Sequence, residues 1–544
     1  MSSSHSASET HPPSGRTTEV GTDTNTNDDG THAASMHSTS KSPCLSCWPP
    51  YGGNVEALGW ALDGIGRSVS FIAAAVFVGT ALLNLAKQAA GCETEIPEGE
   101  TTLPECNGKV YGIRPSSLLT TYSTVVGLVS SAMLPLVGSF IDHSRHRREA
   151  GRITALLLCV LLVPLVFVSE KTWFALAIIL LIVAFLGWIH TSVAFAYLPE
   201  LTDDETELVK LTASFTIVQY ASTVIFLVVM IGLLYILGLT DDEVVSARIA
   251  QSVSAVVTSI VFVWAWTLFG ERPAFQEVPP GSSIWSAGFK KVYHTTIRIY
   301  RNFSSLKWFF VGIAFGEAAS QSLATIAITY LTDVMALNST ENGIAILLLF
   351  IGSVPGALIS KKFALCLNAL WSAKVSVGIM AAITGLAALF LTGPGQQVRV
   401  YCIAFGWGIG TGWKYTAERC IVCQIIPEGQ DAELMGYYLF AGQILIWLPS
   451  LIFTIINEQG VNMRIGIASV GGFFLVALFA YFLMGTYAEA IRIANENGEA
   501  NDTESCENSS PTSGEKESAR PDEESFCDES ESPPKGDAKL QEKA

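Results

Sequence analysis

Twelve apolar stretches fill the chain from about residue 57 to residue 485, and each is long enough to cross a lipid bilayer. A crossing helix needs about 20 mostly apolar residues, because the hydrocarbon core is about 30 Å thick and each helical residue rises about 1.5 Å. No water is present in that core to satisfy backbone amides, so such stretches must be helical. The pattern predicts an all-α polytopic membrane protein.

The predicted spans form two groups of six, separated by a polar segment. They lie near 57–85, 117–141, 152–169, 173–197, 211–238 and 247–269, and then near 306–331, 343–360, 372–391, 398–417, 434–456 and 464–485. We therefore expect a first six-helix half at 51–270, a linker at 271–305 and a second half at 306–487. This organisation resembles the major facilitator superfamily, in which two halves surround a substrate site near the membrane midplane. Transport is the first hypothesis that follows.

The two ends of the chain are polar and are predicted to be disordered, at 1–50 and 488–544. From Glu489 onwards there are 16 acidic and 6 basic residues, which accounts for much of the net charge of -17. An acidic tail disfavours nucleic acid as a partner. The run Ser525–Ser532 would suit phosphorylation and docking of a soluble protein, although a purely solubilising role is favoured.

The distribution of basic residues predicts which side of the membrane each loop faces. The loops after even-numbered spans, with the span ends beside them, hold 16 lysines and arginines, whereas the opposite side holds 7. The positive-inside rule therefore places both termini in the cytosol. An even number of spans requires the termini to share a side, so the two arguments agree.

The linker contains an amphipathic segment with aromatic and basic sides. Helical spacing places Phe289, Tyr293 and Tyr300 on one side, and Lys291 and Arg298 on the other. This predicts an interfacial helix. Either it braces the two halves or it is a linker resting on the membrane, and the second interpretation is favoured.

Ionisable groups inside predicted spans are costly in a bilayer and therefore mark candidate functional positions. Asp63 and Arg67 stand one helical turn apart near the start of the first span, where a structural ion pair at the membrane rim and a substrate contact fit equally well. Glu317 lies inside the seventh span, with Gln321 one turn further on. Glu317 is either part of a site or the partner of a polar group on a neighbouring helix.

Other polar residues inside spans are weaker candidates. Gln219 and Tyr220 are included because they are polar residues in the middle of the fifth span. His190 lies within the fourth span, where a structural hydrogen bond is favoured over a proton relay. A further set stands at the end of the tenth span and would suit either a gate or a cluster that snorkels to the membrane surface: Lys414, Glu418 and Arg419.

The loop after the second span resembles a superfamily motif, in which a glycine is followed by an acid four residues later and then by basic residues. Here these positions are Gly138, Asp142, Arg145 and Arg147. The motif implies a cytosolic switch, in which the acid and the arginines pair near helix ends and hold the halves closed on one face. A basic loop that happens to contain an acid is the alternative.

Cysteines and glycines exclude several other kinds of site. Two CxxC pairs, at Cys44 and Cys420, lack the further ligands that a zinc site needs, so neither a metal nor another cofactor is expected. Cys92 and Cys106 share the loop after the first span, so a disulfide and two free thiols both remain open.

Interleaved glycines at 406–412 favour close helix packing. No nucleotide-binding loop or catalytic triad is present, so an enzyme is not expected.

Several stretches resemble the autophagy-related protein 22 family, the vacuole effluxers of the major facilitator superfamily. The resemblance rests on Gly59-Trp60 followed by Asp63, on Leu198-Pro199-Glu200, on Ala287-Gly288-Phe289, and on the run from Arg419 through Ile426-Pro427 to Gly436. Together these matches cover most of residues 55–487. Glu433, within the last run, joins Glu418 and Arg419 as a gate candidate in the second half.

The resemblance implies export of amino acids from a vacuole or lysosome-like lumen, by a proton-coupled or facilitative mechanism. The expected partners are a small-molecule substrate, protons and the lipid bilayer. A sugar or organic-solute symporter at the plasma membrane is the alternative within transport, and a non-transporting sensor or scaffold is the alternative from another class. Asn338 begins a glycosylation sequence in a loop that the topology places outside the cytosol.

Overall fold

The computed structural model describes residues 51–93, 104, 106–202, 205–272, 283–426 and 431–493. The predicted tail at 1–50 and nearly all of the predicted tail at 488–544 lie outside these residues. Across the described ranges the chain is helical, and its only pairing of the β type is an isolated bridge between Val110 and Ile113.

Within the described ranges, fourteen helices form the two halves and the linker. The first half contains α1 (Val55–Ala89), α2 (Leu118–His143), α3 (Arg147–Leu162), α4 (Trp173–Tyr197), α5 (Glu205–Leu237) and α6 (Glu243–Leu268). The linker contains α7 (Ile284–Asn302). The second half contains α8 (Ser304–Asp333), α9 (Ser339–Cys366), α10 (Ala369–Phe390), α11 (Gln397–Ile425), α12 (Asp431–Gln443), α13 (Trp447–Glu458) and α14 (Met463–Leu483).

Eleven stretches of the described chain are long and apolar enough to cross a membrane, with α12 and α13 together forming one of them. The predicted span at 398–417 corresponds to α11, which has ample length at 29 residues but is less apolar than the other spans. Its glycines and its charged residues, Arg399, Lys414, Glu418 and Arg419, lower its hydropathy. The all-α polytopic class is confirmed, and α11 is a helix that polar interactions help to hold inside the bundle.

Each half has its own hydrophobic core, and the halves meet along two seams. In the first half α1 packs against α5 and α6, and in the second half α8 packs against α14 and α12. One large cluster of buried apolar side chains runs from Ala57 to Phe269, and the other runs from Ile299 to Ala490. The halves contact each other where α2 packs on α13 and where α5 packs on α9. The region between these seams is where residues of both halves can face one solute.

The helix connectivity defines two faces of the bundle. The terminal face carries Tyr51, Ile493 and the loops that follow α2, α4, α6, α9 and α11. The opposite face carries the loops that follow α1, α3, α5, α8, α10 and α13.

The glycines of α11 bring two helices into backbone contact, as the sequence predicts. A Cβ atom on Gly408 would lie 2.1 Å from the carbonyl oxygen of Leu349, and one on Gly412 would lie 2.0 Å from that of Ser353. On the facing helix, Gly356 is equally close to the carbonyl oxygen of Ile409. Small residues at such positions allow transmembrane helices to approach closely.

The amphipathic segment of the linker is a helix, but it does more than rest beside the bundle. Gly288 of α7 packs directly against the backbone of Pro135 in α2, where an added Cβ would lie 1.9 Å from the proline carbonyl oxygen. Thr296 of α7 lies 3.1 Å, oxygen to oxygen, from the hydroxyl of Tyr437 in α12. The favoured linker interpretation is therefore incomplete, because α7 contacts both halves at the terminal face.

Candidate functional site

The first half contains a buried charged network centred on Asp63, which is fully buried in α1. Its Oδ1 lies 2.8 Å from Nε2 of His190 in α4 and accepts a hydrogen bond of 3.0 Å from the indole of Trp266 in α6. Its Oδ2 accepts a hydrogen bond of 2.7 Å from Nε of Arg67. The carboxylate therefore joins three helices of the half. Asp63 and Arg67 form an ion pair, and the choice between a structural role and a substrate contact stays a prediction.

Arg67 and His190 have further partners that fix their positions. The guanidinium of Arg67 lies 5.2 Å from the ring centroid of Trp60 and 5.5 Å from that of Phe195, and its Nη2 is buried without a hydrogen-bond partner. Nδ1 of His190 lies 2.8 Å from the hydroxyl of Thr154 in α3. The structural interpretation of His190 agrees with this geometry, because both ring nitrogens are engaged inside the protein.

The second half contains a network of two carboxylates and one ammonium. Nζ of Lys414 in α11 donates to Oε1 of Glu317 in α8 at 2.5 Å and to Oε2 of Glu418 at 2.9 Å. Lys414 and Glu418 have fully buried side chains, whereas the side chain of Glu317 is 10% exposed. Isolated buried charges cost several kcal/mol each, so these groups depend on one another for their burial.

Two tyrosines complete this second network. The hydroxyl of Tyr415 donates to Oε2 of Glu317 at 3.2 Å, and the hydroxyl of Tyr481 in α14 donates to Oε1 of Glu418 at 2.7 Å. The side chains of Lys414 and Glu418 are both buried within the protein, and the choice between a gate and a snorkelling cluster stays a prediction. The prediction ended the tenth span at residue 417, but α11 continues to Ile425 and keeps these residues inside the bundle.

The two networks occupy equivalent helices of the two halves. Asp63 and His190 join the first and fourth helices of one half, and Glu317 and Lys414 join the first and fourth helices of the other. The sixth helix of each half adds one neutral donor, Trp266 in one case and Tyr481 in the other. The halves thus use the same three helices, α1, α4 and α6 or α8, α11 and α14, to hold buried charge.

The remaining candidates of the predicted site lie on α5 and α8. Tyr220 of α5 is 41% exposed, and its ring centroid lies 5.5 Å from that of Phe350 in α9. Gln219 packs against Gly64 of α1, and Gln321 is exposed on α8. Tyr220 therefore lies at the seam where α5 packs on α9.

The loop motif after α2 leads to ion pairs within the first half. Arg147, buried at the start of α3, donates to Oε1 of Glu200 at 2.8 Å, and Arg145 is exposed. Gly138 has open space where a Cβ would stand. The side chain of Asp142 lies outside the described residues. Arg147 thus ties α3 to the turn after α4, and the predicted closure of the two halves by this motif stays a prediction.

Several polar contacts between the described residues of the two halves lie at the opposite face. Lys87 at the end of α1 forms a buried ion pair with Asp333 at the end of α8. Glu458 accepts hydrogen bonds from Lys109 at 2.9 Å and from the backbone of Arg114 at 2.7 Å. The amide of Asn457 donates to the hydroxyls of Ser116 and Ser117. These contacts close the opposite end of the seam between α2 and α13 and join the end of α1 to the end of α8.

A disulfide between Cys92 and Cys106 lies in the connection between α1 and α2, just before Lys109. Of the other candidates, Arg419 is exposed near the terminal face, and the side chain of Glu433 lies outside the described residues. Asn338 caps α9 by accepting a hydrogen bond from the backbone of Glu341, and Thr340 of the same glycosylation sequence is buried. This packing makes glycosylation of the folded chain unfavourable.

Sequence reasoning missed several members of these networks. Trp266, Tyr415 and Tyr481 gave no signal, because aromatic residues are common in apolar helices. Lys87 and Asp333 lie just beyond the predicted ends of their spans, so the sequence pattern assigns both charges to loops. Lys414 is the exception, because its spacing of four residues from Glu418 indicates an ion pair on one helix face.

Solved structures with the same fold are membrane transporters. A mutant form of the nucleoside transporter NupG matches with a TM-score of 0.55 and 14% identity, over 79% of this chain and 100% of that chain. The inward-open xylose transporter XylE from E. coli gives 0.53 and 12%, over 79% and 95%. A peptide transporter POT in complex with sulfate gives 0.54 and 11%, over 81% and 96%. At these identities the likeness shows the fold alone.

Comparisons by sequence identify the family. No curated protein matches the chain. The profile described as "Vacuole effluxer Atg22 like" matches residues 53–489, which include both halves, the linker and both charged networks. The fold is that of a major facilitator-type transporter, and the chain belongs to the vacuole effluxer Atg22-like family.

Proposed function

We propose that this transporter exports amino acids from a vacuole or lysosome-like lumen to the cytosol by alternating access. The family description supports the compartment, since it names a vacuole effluxer. The positive-inside pattern supports a cytosolic terminal face, because that face carries the larger number of lysines and arginines. Export then runs from the opposite face to the terminal face.

The observation that carries the proposal is the buried ion pair of Glu317 and Lys414, in which the side chain of Glu317 stays 10% exposed. A free amino acid is a zwitterion, so its binding in a low-dielectric interior requires fixed charges of both signs. Within the spans, Arg67 and Lys414 supply positive charge, and Asp63, Glu317 and Glu418 supply negative charge. A neutral sugar would need hydrogen-bonding groups without these charges.

Alternating access is supported by the placement of the contacts between the halves. The buried pair of Lys87 and Asp333 and the contacts of Glu458 hold the opposite face together. Release of a solute to the terminal face leaves these contacts intact, whereas loading from the opposite face requires them to break. A proton gradient across an acidic compartment would favour export when proton binding accompanies loading.

The test is uptake of a panel of radiolabelled amino acids into proteoliposomes, with and without an imposed pH gradient. We expect flux of at least one amino acid. Glu149→Gln should behave as wild type, because Glu149 is exposed and its ion pair with Arg152 lies at the surface. The absence of flux for every amino acid under both conditions would contradict the proposal. Xylose and nucleoside uptake by the same liposomes would then point to the organic-solute alternative.

A further inference from the structure

The second network holds one more carboxylate than it can neutralise internally. Glu317 and Glu418 share the single ammonium of Lys414, and the two remaining carboxylate oxygens are met by the neutral hydroxyls of Tyr415 and Tyr481. The buried cluster therefore carries a net charge of one negative unit when both acids are ionised. A net charge in an apolar interior is costly, so the cluster favours one additional cation.

The first network provides an internal comparison. There a single carboxylate, Asp63, already pairs with the single guanidinium of Arg67, and His190 and Trp266 satisfy its other oxygen. Its charge is balanced without any ligand. The two networks occupy equivalent helices, so the surplus carboxylate is a property that distinguishes the second half from the first.

Access to the surplus charge is possible only through Glu317. Lys414 and Glu418 have no exposed side-chain surface, whereas the side chain of Glu317 is 10% exposed. Lys414 is fully engaged, because its ammonium also lies 4.6 Å from the ring centroid of Tyr415. Aromatic faces and carboxylates together are the groups that bind ammonium ions in proteins.

We propose that Glu317 is the subsite for a primary ammonium group of the transported solute, and that this ammonium displaces Lys414 from Glu317. Lys414 keeps its bond to Glu418, which stands one turn further on the same helix, so the displacement leaves no buried charge unpaired. Two ammonium groups then face two carboxylates, and the cluster is neutral. This inference rests on the proposed function for taking the ligand to be a transported solute.

The experiment is a thermal-shift titration of the full chain in detergent with three probes of similar shape: isoamylamine, isocaproate and isoamyl alcohol. Sodium chloride at equal ionic strength is the blank. We expect the melting temperature to rise with isoamylamine and to stay constant with the other two. Glu317→Gln should weaken amine binding by about tenfold or more, whereas Glu149→Gln should bind as wild type.

Two further variants keep the test decisive even if Glu317→Gln does not fold. In Glu418→Gln, Glu317 is the one acid of the cluster left to pair with Lys414, so the cluster is already neutral. Amine binding should therefore fall by about tenfold, although Glu418 does not touch the ligand. The double variant Lys414→Met with Glu418→Gln removes the competitor and keeps one acid. It should bind the amine at least as tightly as wild type.

The outcomes separate this inference from the proposed function. Amine binding that is equal in wild type, Glu317→Gln and Glu418→Gln, or absent from wild type, would overturn the ammonium subsite. Amino-acid flux in the same preparations would then still support the exporter. Conversely, amine binding that depends on Glu317, without any amino-acid flux, would support the subsite and contradict the proposed substrate.

Discussion

His190 of α4 lies 2.8 Å from Asp63 of α1, and Lys414 of α11 makes the corresponding contact with Glu317 of α8 in the other half. Each pair joins the first helix of a half to its fourth. Helix pairing inside a bilayer gains little from the hydrophobic effect, since lipid is as apolar as the helix surfaces. Buried polar pairs of this kind therefore hold the first and fourth helices in a defined arrangement, one pair in each half.

The first prediction concerns the Asp63 network. His190→Leu removes one partner of a fully buried carboxylate, and we expect the free energy of unfolding to fall by about 1–3 kcal/mol. Thermal melting of purified protein in detergent measures this loss. Ser192→Ala on the same helix removes only a hydrogen bond to the backbone of Trp188 and should melt near wild type. Equal melting temperatures for the two variants would show that the network does not stabilise the half.

The second prediction concerns the contact between α9 and α11. Gly412→Ala places a methyl group 2.0 Å from the carbonyl oxygen of Ser353, so the helices must separate. We expect a loss of about 1–3 kcal/mol, the usual cost of overpacking, measured as a lower melting temperature. Gly187→Ala in α4 is the control, because nothing lies within 4 Å of its new Cβ. A wild-type melt for Gly412→Ala would contradict the described packing.

The third prediction concerns the seal at the opposite face. Lys87→Met leaves the buried Asp333 without its ion pair, which should favour conformations in which that face is open. The measurement is labelling of Ser123→Cys by a membrane-impermeant maleimide, in a background without free cysteines. Ser123 bonds to Ser450 across the seam between α2 and α13.

Lys109→Met is the matched control for this prediction. Lys109 also pairs across the seam, with Glu458, but its side chain is 50% exposed. An exposed pair contributes about 0–1 kcal/mol, so labelling should change little. If Lys109→Met increases labelling as much as Lys87→Met does, burial of the pair is not what closes this face.

The fourth prediction concerns the disulfide. The bond between Cys92 and Cys106 closes a loop with a sequence separation of 14, for which the chain-entropy estimate is about 3 kcal/mol. We expect a reducing agent to lower the melting temperature of wild type and to leave the double variant Cys92→Ser with Cys106→Ser unchanged. If the reducing agent lowers the melting temperature of both proteins equally, the effect comes from a group other than this disulfide.

Much of the fold was predictable because its signal is local. Hydropathy alone located the helices, since each must bury its backbone in a hydrocarbon layer. The glycines of α11 correctly predicted close packing. Residues inside spans such as Asp63 and Glu317 stood out because charge is rare there.

The partners of those residues could not be predicted, because they come from distant parts of the chain. Trp266 lies 203 residues from Asp63, and Lys414 lies 97 residues from Glu317. The helix that contains the tenth predicted span continues beyond residue 417 to Ile425. Hydropathy alone therefore did not show that Lys414 and Glu418 are buried against other helices.

The most direct test of the account is counterflow of a transported amino acid in proteoliposomes containing wild type, Glu317→Gln or Glu149→Gln. We expect wild type and Glu149→Gln to exchange label at similar rates, and Glu317→Gln to lose exchange while keeping a cooperative thermal melt. Undiminished exchange by Glu317→Gln would contradict a role for this network in transport.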